Sequence, residues 1–174
     1  MAVDPAQLRI VHHPHPVLRE RAEPVELSDE VRAVAVRMVE LMHEADGVGL
    51  AAPQVGLPWR LFVANWTGPV SGGGQDHVFI NPELTAPSRE TGPHEEGCLS
   101  LPDIRAEITR PLGITVTATD LEGQRFTMTD DGGLAARVWQ HEFDHLDGVL
   151  ILDRMTRLDK MANRKSIRAL EADR

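Results

Sequence analysis

Two histidines lie four residues apart in the stretch QHEFDHLDG, residues 140–148, and a glutamate follows the first of them. In a helix, side chains at positions i and i+4 point in the same direction, so His141 and His145 can bind one metal ion through neutral imidazoles. Glu142 is rotated by about 100° from His141, which places its carboxylate beside the ion rather than in the row of ligands. This H-E-x-x-H pattern is typical of metal hydrolases, in which the glutamate moves protons for a metal-bound water.

The motif alone is weak evidence, because it arises by chance in roughly a few per cent of chains of this length. A catalytic metal of this kind usually has three protein ligands and one open position. No histidine follows His145, and the nearest downstream acids are Asp147 and Asp153. The chemistry favours Cys98 in the stretch EEGCLS, because a thiolate with two imidazoles suits a tetrahedral Zn, Fe or Ni site. His94, close by in the sequence, competes for the same role.

The elements that must position these residues can be predicted from periodicity. The segment SDEVRAVAVRMVELMHEADG predicts a helix with Ser28 as its N-cap and Gly47 at its end. The segment GGLAARVWQHEFDHLDG predicts a second helix, capped by Gly148, and a polar helix is predicted from Asp153 to the C-terminus. Strands are predicted for WRLFVANW, HVFINP, GITVTATD and QRFTMT, with TGPVSGGGQD as a surface loop. We therefore expect an α+β fold in which short antiparallel strands pack around a buried metal-binding helix, with an N-terminal and a C-terminal helix.

The length of 174 residues predicts one catalytic domain spanning residues 1–174. Hydrophobic residues at 41% and charged residues at 26% are typical of a soluble globular protein. No apolar run approaches a membrane span, and the stretch MAVDPAQLRI lacks the pattern of a signal peptide, so we expect a cytoplasmic protein without membrane contact. The net charge of −9 argues against nucleic acid, DNA included, as the main substrate.

Charge is unevenly distributed between the C-terminal segment and the rest of the chain. Residues 154–174 contain seven Lys/Arg and three Asp/Glu, whereas the remaining residues carry a net charge of −13. A solvated helix face and an arm that binds a partner explain this basic helix or tail equally well.

Three segments resemble, in order, the signature motifs of the peptide deformylase family: GVGLAAPQ at 47–54, EGCLS at 96–100 and QHEFDH at 140–145. The segments HPHPVLRERAEPV and RPLGITVTATDLEG also resemble the N-terminal segment and the central hairpin of that family, and the resemblance reaches about Asp153. It implies a metal-dependent hydrolase that removes the formyl group from the N-terminal formylmethionine of newly synthesised polypeptides. It further implies Fe(II) in the cell, with Zn, Ni or Co able to occupy the site, and a C-terminal helix that contacts the ribosome.

The resemblance also implies the roles of individual residues. The implied metal ligands are Cys98, His141 and His145, the implied general acid/base is Glu142, and the implied oxyanion donors are Gln54 and the backbone N–H of Leu99. For the substrate it implies backbone hydrogen bonds from Gly49 and a position for Arg105 near the C-terminal side of the peptide. Apolar walls for the methionine side chain are expected from Val48, Leu99 and Val138.

Several of these residues have simpler explanations that the sequence leaves open. Arg105 can be a surface charge paired with Glu96, and Asp144 can orient a ligand histidine, cap the helix locally or lie in solvent. Arg137, beside Val138, is more polar than a methionine pocket requires. Two other functions also remain open, namely an H-E-x-x-H metallopeptidase and a metal-stabilised binding protein. The first needs an extended groove and a downstream third ligand, and the second needs neither a catalytic glutamate nor a glutamine.

Overall fold

A computed structural model describes residues 2–68 and 70–172 of the chain. Position 69 of the predicted surface loop and positions 173 and 174 of the predicted basic tail lie outside the described residues, as does position 1. The strands are β1 Gly49–Ala51, β2 Leu61–Ala64, β3 His77–Thr85, β4 Thr91–Cys98, β5 Leu101–Pro111, β6 Gly113–Thr119 and β7 Arg125–Asp131. The helices are α1 Asp29–Glu44, α2 Leu134–Leu146, α3 Ile151–Arg154, α4 Arg157–Ala162 and α5 Arg164–Ala172. The predicted α+β class is confirmed.

An antiparallel five-stranded sheet, in the order β1-β2-β3-β6-β7, separates the two long helices. Successive side chains of β2 point to opposite faces of this sheet. Phe62 packs in the cluster that contains Trp139 of α2, whereas Leu61 and Val63 pack in the cluster that contains Met38 of α1. Burial on both faces explains why β2 reads as a continuous apolar run.

Strands β4 and β5 form a separate hairpin that the sequence reasoning missed, as it missed β1. Half of the residues of β4 are exposed and one, Glu96, is buried, so this segment lacks the alternation of apolar and polar residues that marks a strand. Its partner β5 does alternate, and the buried side of β5 packs on the segment after α2. That cluster consists of Val17, Leu18, Leu101, Ile104, Ala106, Ile108, Leu150, Ile151, Leu152 and Met155.

Helix boundaries differ from the predictions at two places. Ser28 does cap α1, accepting from the N–H of Val31 at 3.3 Å, but the left-handed residue that ends the helix is Asp46, with φ 53°, rather than Gly47. The predicted single C-terminal helix is divided into α3, α4 and α5. The first break lies at Met155, which is extended and buried, and Thr156 then starts α4 by accepting from the N–H of Asp159. The second break lies at Asn163, the C-cap of α4.

In the part of the chain that the structure describes, no helix combines the length and apolar character needed to cross a bilayer.

Candidate metal centre

Cys98, His141 and His145 converge from two elements. Helix α2 presents the two imidazoles on one face, with ring centroids 5.2 Å apart. Cys98 is the last residue of β4 and pairs with Leu101, so the hairpin turn delivers its thiol to the helix. The three potential ligand atoms all lie within 4.8 Å of one another, and Cys98 Sγ is 3.4 Å from His145 Nε2.

This donor set fits a tetrahedral divalent ion. Ordinary metal–sulfur and metal–nitrogen bond lengths give a tetrahedral edge of roughly 3.6 Å between S and N, close to the observed separation of Cys98 and His145. Burial lowers the pKa of His145, which favours the neutral imidazole that a metal ligand needs. The competing candidate His94 is exposed on β4 and, among the described residues, does not belong to this group.

A buried carboxylate fixes the orientation of His141. His141 Nδ1 donates to Glu96 Oε2 at 2.9 Å, which leaves Nε2 as the atom that faces Cys98 and His145. A second-sphere carboxylate of this kind sets the tautomer of a ligand histidine and raises its basicity. Burial alone disfavours the charged form of Glu96, but hydrogen bonds from Arg110 and His141 outweigh it and hold the pKa of Glu96 far below its usual range.

Glu142 lies against the backbone of β1. It is buried, and its Oε2 has no hydrogen-bond partner within the described residues. Burial raises the pKa of Glu142 to about 7. A Cβ atom on Gly49 would lie 2.4 Å from Glu142 Oε1, so only glycine leaves room for this carboxylate. The absence of a side chain at Gly49 therefore leaves the space that Glu142 occupies, in addition to the predicted role of the Gly49 backbone.

Gln54 is oriented as a donor toward the thiol. Its Oε1 accepts from the N–H of Ala51 at 2.8 Å, which settles the direction of the amide. Its Nε2 then points at Cys98 Sγ, 3.5 Å away, and at Ser100 Oγ, 3.4 Å away. Gln54 is 1% exposed, so packing holds this donor in place.

The cluster opens into a cavity of about 440 Å³. Its wall includes every residue of the predicted site except His145, which lies buried behind it. Val138 is a buried part of the wall, Val48 is 47% exposed at the rim, and Leu99 lies in the turn between β4 and β5. Among the described residues, strand β1 pairs with β2 alone, so its outer edge offers backbone groups to an extended ligand.

Arg137 and Arg105, in the wall of the cavity, make other contacts than those that the sequence left open. The guanidinium of Arg137 donates to Glu96 Oε1 and to the carbonyl oxygens of Gly92 and Ile108, so it ties α2 to the hairpin instead of entering the cavity as a free charge. Arg105 does not pair with Glu96; its guanidinium lies across Gly97, where a Cβ would be 2.5 Å from Nη1. The partners of Glu96 are Arg110, Arg137 and His141.

The supporting network was the main omission of the sequence reasoning. Arg110 donates to both oxygens of Glu96, at 2.7 and 2.9 Å, and to Asp144 Oδ2 at 2.8 Å. Asp144 thus contacts arginines rather than a ligand histidine, which corrects that alternative. One signal did exist in the sequence: Arg110 occupies the inward-facing position of β5 after Ile108, where an apolar residue is expected.

Comparisons with known proteins agree with this geometry. The family model described as "Polypeptide deformylase" matches residues 7–161. Peptide deformylase 1B, chloroplastic/mitochondrial, of Arabidopsis thaliana is 41% identical over 165 residues, which make up 94% of this chain and 60% of the relative. The peptide deformylase of Rhizobium meliloti is 45% identical over 148 residues, 84% of each chain. The crystal structure of a plant peptide deformylase gives a TM-score of 0.89 at 40% identity, covering 95% of this chain and 90% of that one.

The chain therefore spans less than two thirds of the Arabidopsis relative but most of the bacterial one. The matched segment contains the Cys98, His141 and His145 cluster together with the whole wall of the cavity.

Proposed function

The chain belongs to the polypeptide deformylase family, and from this premise we propose that it is a metal-dependent hydrolase that removes the formyl group from the N-terminal formylmethionine of newly synthesised polypeptides. The observation that carries the proposal is the convergence of three metal-binding side chains, a buried carboxylate and an oriented amide donor at one cavity. A purely structural metal site requires neither the carboxylate nor the donor. A metallopeptidase of the usual kind would take its third ligand from downstream of the second histidine, not from a cysteine upstream.

In the proposed reaction, Cys98, His141 and His145 hold one divalent ion. When bound, the ion supplies the acidification of water and the polarisation of the formyl carbonyl that hydrolysis of an amide needs. Glu142 takes a proton from the attacking water and returns one to the nitrogen of the methionine as the C–N bond breaks. The products are formate and a peptide with a free N-terminal amine.

Charge that develops on the formyl oxygen needs donors already in position. Gln54 Nε2 and the backbone N–H of Leu99 would serve as these donors, and each donor of this kind contributes about 10²–10³ in rate. The peptide would extend along the open edge of β1 and pair with Gly49, with its methionine side chain against Val48 and Val138. Arg105 would contact the peptide on its C-terminal side.

Release of formate from a formyl-methionyl tripeptide tests the function. Protein purified without oxygen and loaded with Fe(II) or Ni(II) is expected to release one formate per free amine formed. The acetyl-methionyl tripeptide serves as the matched substrate and is expected to react far more slowly, because its additional methyl group must fit beside the proposed ion, Gln54 and Glu142. Stoichiometric metal binding without formate release would instead favour a binding protein.

Substitution of Gly49 by alanine tests whether the close approach of β1 positions Glu142. The new methyl group would meet Glu142 Oε1 at 2.4 Å, so the carboxylate must move. A displacement of about 1 Å can cost on the order of 10²-fold in rate, and we expect a loss of this size in kcat. Gly72→Ala is the control, because no described atom lies within 4 Å of a Cβ at that position. Equal activities of the two variants would show that the space at Gly49 is not needed to position Glu142.

We propose Fe(II) as the ion used in the cell, with Zn, Ni or Co able to replace it. The half-buried thiolate of Cys98 beside Fe(II) is open to oxidation. The iron form is therefore expected to lose activity in air, with oxygen added to Cys98 in the intact mass, while the nickel form stays active. An iron form of confirmed metal content that remains active for hours in air would contradict this proposal.

The proposed place of action is the cytoplasm, on nascent chains at the ribosome, and the exposed basic side of α4 and α5 is the proposed ribosome contact. The apolar side of α5 packs through Ile167 and Leu170 on the hydrophobic cluster formed by β5 and α3. The C-terminal segment is therefore held against the domain and does not extend into solvent. Its basic side chains are exposed, and Leu158 and Met161 between them are each 75% exposed. Cations beside exposed apolar side chains suit a nucleic-acid surface with protein at its edge.

Charge reversal tests this contact better than deletion, because deletion would also remove Ile167 and Leu170 from the core. The variant carries glutamate at Lys160, Lys165 and Arg168. We expect it to lose the salt-sensitive binding to ribosomes in cosedimentation while keeping its activity on tripeptides. The control reverses three exposed arginines outside the segment, namely Arg9, Arg21 and Arg89. Equal ribosome binding by the two triple variants would contradict the proposed contact.

A further inference from the structure

A continuous series of charged hydrogen bonds connects the C-terminal segment to the metal centre. Arg154, the last residue of α3, donates through Nε and Nη2 to the two oxygens of Asp144, each at 2.5 Å. Asp144 Oδ2 also accepts from Arg110, which in turn binds both oxygens of Glu96. Glu96 accepts from Nδ1 of the ligand His141.

Two buried carboxylates share the single guanidinium of Arg110. Glu96 occupies its Nε and Nη2 edge, while Asp144 occupies Nη1. Arg110 is 3% exposed, Glu96 7% and Asp144 9%, so water provides little compensation for either acid. In such surroundings an acid that loses one donor attracts the remaining donor more strongly.

Arg154, which lies at the surface, reduces the competition between Asp144 and Glu96 for Arg110. Its side chain is 42% exposed, and its bidentate pairing satisfies both oxygens of Asp144. With Asp144 satisfied, Arg110 is free to bind Glu96 with two parallel hydrogen bonds. Without Arg154, Asp144 would keep Arg110 as its charged partner and pull it away from Glu96. The acceptor that fixes the tautomer and direction of His141 would then be held less firmly.

We propose that Arg154 is a positioning residue for the metal centre, acting through Asp144, Arg110 and Glu96 on His141. Metal affinity is thereby linked to the docking of α3, the element that precedes the basic helices α4 and α5. A partner that displaces Arg154 from Asp144 would weaken the hold on the ion. The inference rests on the metal site of the proposed function and concerns binding of the ion rather than turnover.

The test compares Arg154→Gln with Arg19→Gln in the full chain. Arg19 pairs with Asp153, the neighbour of Arg154 on α3, and is 40% exposed, so both variants remove one arginine–aspartate pair from the same short helix. Zn(II) affinity is measured by competition with a chelator. Loss of a second-sphere partner costs about 10–100-fold in affinity, and for the more distant Arg154 we expect about 3–10-fold. The Arg19 variant should change by less than about twofold.

A second readout separates positioning from general destabilisation. In the Zn(II)-loaded protein, the Nδ1–H proton of His141 should exchange faster with solvent in Arg154→Gln than in Arg19→Gln, because its bond to Glu96 is loosened. Equal zinc affinities and equal exchange in both variants, or equal losses in both, would overturn the inference. Failure of the unsubstituted protein to bind zinc would instead contradict the metal site of the proposed function.

Discussion

Replacement of Glu142 by glutamine is expected to lower kcat for formate release by about 10²–10⁴-fold with little change in metal content. Glutamine preserves the size of the side chain beside Gly49, so the cavity wall should keep its shape. It cannot accept a proton from the attacking water or return one to the leaving amine. Because the proposed metal ligands are Cys98, His141 and His145, removal of this carboxylate should leave the ion in place.

Metal content by elemental analysis and single-turnover rates with a formyl-methionyl tripeptide would check this expectation. Glu122→Gln, in the exposed turn between β6 and β7, is the control for loss of one surface carboxylate. A Glu142 variant that retains activity within tenfold would remove this residue from proton transfer. A variant that loses its metal would show that Glu142 contributes to binding the ion.

The proposed set of metal ligands could be inferred from the sequence because the spacing of its two histidines is local. The spacing of His141 and His145 on a helix is set by four residues of sequence, and Cys98 was the one thiol in the chain that could join them. The position of Cys98 in a hairpin turn was not predictable in the same way. Strand β4 is polar along most of its length, and it becomes a strand only because the alternating strand β5 pairs with it.

The charged residues that surround the proposed ligands could not be predicted from the sequence in the same way. Glu96 and Arg110 are 14 residues apart on the two strands of one hairpin, and Asp144 follows Arg110 by 34 residues, so the meeting of all three depends on how the hairpin packs on α2. No spacing rule connects them in advance. Arg110 could have been recognised as a buried cation from its inward position on β5, but its two acidic partners could not. The same applies to the C-terminal segment, where burial of Met155 rather than helix propensity divides the predicted helix.

The second large effect is expected at Glu96, because this carboxylate serves both stability and the metal centre. Its replacement by alanine removes one of the two acidic partners of the buried Arg110, one acceptor of Arg137 and the acceptor of His141. Loss of one partner from a buried ion pair typically costs about 3–5 kcal/mol, and we expect a decrease of this size in the free energy of unfolding. The lost second-sphere bond should in addition lower metal affinity by about 10–100-fold.

Glu95→Ala is the matched control for the loss of stability. Glu95 is the adjacent residue and carries the same side chain, but it is exposed. Glu95→Ala should change the free energy of unfolding by about 0.5 kcal/mol or less in urea denaturation of the metal-free proteins. A double variant, Glu96→Met with Arg110→Met, separates the two roles of Glu96. Apolar replacement of both partners restores much of the stability in other buried pairs, and Asp144 keeps Arg154 as its cation when Arg110 is removed. The double variant still provides no acceptor for His141. We therefore expect recovered stability with metal affinity still reduced, and recovery of both would show that Glu96 matters to the ion only through folding.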